Sequence, residues 1–254
     1  MTNFLLKPLL LLLGLVIFLS CEKNNEQPGP MIHENLTISS PAVWKLENSP
    51  HIIRGVLLVH NTSLTIEPGT IIRMESGARI DVKGVHGAII AEGTPEKGIL
   101  FTSAANQPAP GDWESIDING TEVISSFAFC RIEYGGRNLS RGMINVANGR
   151  VAIYHSTLAH SRHVEVKIDN NGGFDGFSGN TLISVNGDAI FMRGRLAHSL
   201  QGGNQYAVPP HAGIRLSGMA ANRIDIEQDP SWTAPGAPYI IEDQIRIQNN
   251  AYLS

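Results

Sequence analysis

The chain has 254 residues, with 19 Lys and Arg against 23 Asp and Glu and a formal net charge of −4. That balance offers no basic surface for a nucleic acid or for an anionic membrane patch. The only cysteines are Cys21 and Cys130, so once Cys21 is modified no intramolecular disulfide forms and stability has to come from packing.

Residues 1–20 carry a single charge, Lys7, ahead of an apolar run from Leu9 to Leu19 that leads into Ser20-Cys21. The run is shorter than the roughly 20 apolar residues a bilayer takes, and it suits the core of a signal peptide. Phe18-Leu19-Ser20-Cys21 resembles the lipobox of bacterial lipoproteins, with Phe18 where that motif usually has Leu. The resemblance implies cleavage before Cys21, which becomes the new N-terminus, and a lipid anchor on Cys21. The membrane would then be a partner, through lipid, and the location would be the cell envelope, as an outer-membrane lipoprotein facing the periplasm or the outside. An ordinary secretory signal with an incidental cysteine is the alternative. Glu22 to Pro30 (EKNNEQPGP) is polar and holds Pro and Gly, so residues 21–30 read as a flexible tether.

From there the apolar pattern has period two, in short bursts. Ile80 and Val82 alternate with Arg79, Asp81 and Lys83, and Val164, Val166 and Ile168 with Glu165, Lys167 and Asp169. Ile116 with Ile118, Ile144 with Val146, Val151 with Ile153, Ile214 with Leu216 and Ile224 with Ile226 repeat the signal. Such bursts are strands with one face inward. The chain is therefore all-β, and short strands turning at small residues suit coils stacked into a solenoid. A β-sandwich is the alternative. Trp44 with the segment from Pro50 to Thr65 returns as Trp232 with the segment from Pro238 to Ser254, so residues 31–218 read as the solenoid and 219–254 as the start of a second, incomplete unit.

The segments Leu64 to Thr70 (LTIEPGT), Ala91 to Thr94, Ile99 to Ser103, Pro110 to Trp113, Arg131 to Gly136 (RIEYGG) and Phe177 to Thr181 (FSGNT) resemble, in this order and spacing, bacterial right-handed parallel β-helix surface proteins. Glu114-Ser115 departs from the pair of glycines the family often places after the Trp. The resemblance implies a single-stranded right-handed parallel β-helix. Pro68-Gly69 and Gly135-Gly136 would then be corners, and Cys130 a buried small apolar residue.

Many parallel β-helices cut acidic polysaccharides, with calcium carboxylates beside a basic residue or with paired carboxylates. The best matching group here is Asp112, Glu114 and Asp117, with Arg131 and Glu133 one coil on. It is a candidate substrate or calcium face, although outward carboxylates on strands are ordinarily solvated. His155, His160 and His163 fit no common zinc spacing and read as exposed turn residues. No residue is assigned a catalytic role, no metal ligand is expected, and calcium is the one cofactor the acidic group suggests. The expectation is a monomeric envelope lipoprotein whose β-helix is a scaffold for adhesion or for a carbohydrate or surface-protein ligand. A polysaccharide lyase or hydrolase is the alternative.

Overall fold

The computed structural model describes residues 29–218, 223–226 and 236–247. Residues 1–28, where the sequence reading places a signal and most of a tether, lie outside them, as does Trp232. No helix among the described residues is long and apolar enough to cross a membrane.

Each burst of alternation forms one strand, and three strands make one turn of a parallel β-solenoid of about eight turns. The first sheet runs Met31–Glu34, His51–Arg54, Ile71–Met74, Ile99–Ser103, Cys130–Glu133 and onward to Gln205–Ala207. The second holds Val56–His60, Arg79–Lys83, Ile116–Asn119, Ile144–Ala147, Val166–Asp169, Ile190–Arg193 and Ile214–Ser217. The third runs from Ala42–Trp44 to Gly173–Ser178, and in the next turn the 3-10 helix Gly194–Ser199 follows the second-sheet strand. Every strand pairing is parallel, so the sandwich alternative falls.

Because the pairing is in register, inward residues stack on inward residues. On the second sheet Leu57, Ile80, Ile116, Ile144, Val166, Ile190 and Ile214 form one unbroken column, and each has no exposed surface. Fully burying such a side chain is worth about 1.5–3 kcal/mol, and one continuous cluster of them runs the length of the solenoid. The first turn is an exception. There the inward rings of His33 and Trp44 stack with centroids 4.3 Å apart, and His51 of the second turn stacks on Trp44 at 4.6 Å.

The corners are made by single residues in the left-handed region. Asn61, Asn148 and Asn170, with φ of 54°, 54° and 47°, turn the chain from the second sheet to the third, where Asn is among the side chains that tolerate this backbone best. Gly136, at φ 78°, does the same after the first sheet, and a Cβ there would lie 2.0 Å from Ser161 Oγ. Between the third and first sheets the residue just after the turn points inward and carries a polar group. The Cys130 N–H donates to Ser156 Oγ at 3.0 Å, the Ser156 N–H to Asn180 Oδ1 at 3.0 Å, and the Asn180 N–H to Asn204 Oδ1 at 3.0 Å. This ladder feeds buried backbone groups that the bend would otherwise leave unpaired.

Two positions depart from the alternation read in the sequence. Glu165, expected to face outward, is fully buried, because its strand begins only at Val166 and Glu165 belongs to the corner. The described part of the apparent second copy also sits differently: Tyr239–Ile241 stacks on the second sheet, whereas His51–Arg54 belongs to the first.

Candidate functional site

Left-handed corners throw their side chains outward, and at two corners those side chains are aromatic. Phe129 (φ 49°) and His155 (φ 48°) occupy the corner before the first sheet in adjacent turns, their rings stacked at 5.1 Å. Tyr134 (φ 67°) and His160 (φ 58°) occupy the corner after it, stacked at 5.3 Å. The strands Cys130–Glu133 and Thr157–Ala159 lie between the two pairs and are hydrogen-bonded to each other. Non-glycine residues in this backbone region are uncommon, and bulky ones especially so. The strain is offset by ring stacking and by the register that repeats the corner in each turn.

Between these aromatic walls the outward positions are Arg131, Glu133 and Thr157, with Arg131 in register with Thr157. The Arg131 Nε–H donates to Glu133 Oε2 at 2.6 Å, and Thr102 Oγ1 donates to the other carboxylate oxygen at 3.0 Å. Glu133 thus engages the guanidinium through Nε, and the Arg131 side chain is 46% exposed. Beside it Phe129, His155, Leu100, Thr157, Thr94 and Gly98 line an open cleft of about 380 Å³.

The five residues singled out in the sequence do not form one group. Asp112 closes its own loop, accepting from Ser103 Oγ at 2.6 Å and from the Ala109 N–H at 3.0 Å. Glu114 and Asp117 belong to a network on the second face: Glu114 lies 3.5 Å from an Arg79 nitrogen, and Asp117 stacks in register on Asp81. Arg131 and Glu133 are on the first face. Among the described residues no hydrogen bond or ion pair joins the two sets. The two aspartates are also not solvated, being 4% and 5% exposed for Asp81 and Asp117. Arg79 at 3.1 Å and Lys83 at 2.9 Å cover Asp81, and Arg141 pairs with Asp117. Burial pushes the Asp117 carboxyl above its ordinary range, against the pull of Arg141 and Ser115.

A calcium ion needs six to eight oxygens with few competing cations. Glu114, Asp117 and Glu133 are each paired with an arginine, Asp112 is taken up by Ser103 and the Ala109 N–H, and no group of three or more His, Cys, Asp or Glu that could hold a metal occurs among the described residues, so this donor set does not converge on a calcium site. His155 and His160 stand on opposite edges of the first face, each occupied by its stacking partner, so they are not a shared ligand pair. Cys130 is 3% exposed, its thiol donates to the Ala91 carbonyl at 3.2 Å, and burial pushes it up to about 12. It is a packing residue, as its inward parity predicts. Trp113 is fully buried, its Nε1–H donating to the Glu133 carbonyl at 2.9 Å. Gly135 makes room for its ring, since a Cβ there would lie 2.7 Å from it.

His155 and His160 read as turn residues in the sequence and stand at corners, whereas Phe129 and Tyr134 were missed because Phe and Tyr carry no turn signature. The signal that finds them is the turn length: Phe129 to His155 and Tyr134 to His160 are each 26 residues apart, the same offset as the Cys130 to Ser156 contact.

Three parallel sheets on one continuous core define a parallel β-helix repeat protein. Residues 31–147 match the family model described as a pectate-lyase-like β-helix domain, a stretch that holds the first four turns together with Phe129, Arg131 and Tyr134. No curated protein and no solved structure matches the chain.

Proposed function

We propose that the protein is a lipid-anchored envelope β-helix whose first face binds a glycan, with carboxylate-bearing sugars the favoured class, and releases it unchanged. The observation that carries this reading is the pairing of two exposed-edge aromatic stacks with the guanidinium of Arg131 between them. Sugar rings pack their C–H faces on aromatic rings. A planar guanidinium with free N–H groups matches a carboxylate in two-point geometry. The anchor rests on the apolar run before Cys21. A solenoid held by a tether of about ten residues stays close to the membrane, because two or more acyl chains anchor stably where one is marginal.

The family match also favours a second reading, a lyase or hydrolase acting on the same face. One experiment separates them: binding and turnover of acidic and neutral polysaccharides, with and without calcium. Phe129→Asn and Arg131→Gln are each expected to weaken binding about tenfold or more, and Asn keeps the left-handed corner intact. Product formation would replace the binding reading with the enzymatic one, and binding unaffected by both substitutions would remove the site altogether. Palmitate incorporation lost in Cys21→Ala is the expected result for the anchor, and an unlabelled wild type would overturn it.

A further inference from the structure

A second recess lies away from the first face, at the end of the second sheet in the seventh and eighth turns. Arg193 closes the strand Ile190–Arg193, in register with Ser217. The next residue is Gly194, where a Cβ would come within 2.5 Å of Ile224 Cγ2. The strand Arg223–Ile226 therefore seats directly on glycine backbone, closing the floor of a recess of about 200 Å³. Arg193, Arg195 and Arg223 line it, with Asp225 the one carboxylate among the described lining residues.

That carboxylate is already spoken for. Arg223 Nε donates to Asp225 Oδ1 at 2.8 Å, Arg246 Nε donates to the same oxygen at 2.8 Å, and these arginines hold the carboxyl below its ordinary range. Arg193 and Arg195 have no ion-pair partner among the described residues, and the Arg193 Nε–H is buried with no acceptor. A buried guanidinium N–H without an acceptor is costly, and in a chain of net charge −4 two unneutralised arginines at one recess are a local reversal of sign. An anionic group with several lone pairs would satisfy both. A neutral ligand would leave the charge uncompensated and a cationic one would be repelled.

We propose that this recess binds a tetrahedral oxyanion, phosphate or sulfate, with Arg193 and Arg195 as its donors. The anion is either free or an ester carried on a larger molecule. The test titrates inorganic phosphate and inorganic sulfate into the full chain by calorimetry, with chloride balancing ionic strength. Saturable binding is expected, weakened about tenfold or more in Arg193→Gln and in Arg195→Gln. Arg195 is exposed, so its variant should fold even if the other does not. No saturable heat, or wild-type binding in Arg195→Gln, overturns the proposal. A sulfated oligosaccharide binding more tightly than inorganic sulfate identifies the ester as the source, and equal affinity identifies the free anion. Phe129→Asn should leave the titration unchanged, which keeps this site independent of the first face.

Discussion

His33 and His51 are hydrogen-bonded to each other, Nε2 to Nδ1 at 3.0 Å, with Trp44 stacked on both rings. One ring must donate and the other accept, so the pair is stable only when at least the acceptor is neutral. His51 is also tied to the Lys45 carbonyl at 3.1 Å through its other nitrogen. Burial, and then the neighbouring His51, lower His33 to about 4, and burial lowers His51 as well.

The sign of the pH dependence follows. In the unfolded chain both histidines take up protons near 6.5, whereas the folded pair resists protonation. The unfolded state therefore binds more protons as pH falls from 6.5 towards 4, and stability is lost over that window. The loss is of order 1 kcal/mol, because His33 is only partly buried and its charge is partly screened. Thermal melts at intervals between pH 7.5 and 4 should show it, and His33→Phe should flatten the curve. An NMR titration of His33 with its midpoint near 6.5 would disprove the account.

Glu165 gives the opposite slope. It is fully buried beside Ser184 and Ser161, and burial pushes its carboxyl well above the ordinary range. The unfolded chain ionises this residue above about pH 4.5 while the folded one keeps the proton, so its contribution falls as pH rises past that point. Glu165→Gln should therefore gain stability over the wild type at pH 8 and lose that advantage near pH 4.5. Urea midpoints at the two values measure the difference, and an equal offset at both would refute a buried neutral acid.

Asn180 joins three turns at once. Its Oδ1 accepts from the Ser156 N–H at 3.0 Å, its Nδ2 donates to the Ile153 carbonyl at 2.8 Å, and its own N–H donates to Asn204. Asn180→Ala strands two buried backbone groups, each worth about 1–3 kcal/mol when left unpaired, so a loss of about 2–6 kcal/mol is expected. Asn171→Ala, on the exposed corner, should change stability by less than about 0.5 kcal/mol. Comparable denaturant midpoints for the two variants would remove the ladder from the account of stability.

The sequence declared its core because a half-buried strand writes its register into alternate residues. Ile80 with Val82 and Ile116 with Ile118 were read inward, and all four are buried in aligned turns. Corners built on Gly69 and Gly136 were equally legible, since φ values of 86° and 78° favour glycine. What escaped was decided between turns. Asp117 looks solvated in sequence, and only the stacking of Asp81 beneath it and Arg141 over it removes it from water. Arg131 and Glu133 follow Asp117 closely in sequence, yet two corners and the strand Ser125–Ala128 between them turn them onto another face. Glu165 follows the alternation on paper but precedes the strand that alternation describes.

The two aromatic corners have a consequence for what the first face selects. Phe129 and Tyr134 are fixed by backbone dihedrals at either end of one four-residue strand, so their Cα separation is about 16 Å at the rise of an extended chain. No side-chain rotation changes that distance, and the turn below repeats it with His155 and His160. On the proposed reading, the face is therefore a platform of fixed span, and a bound glycan has to meet both aromatic pairs at that separation.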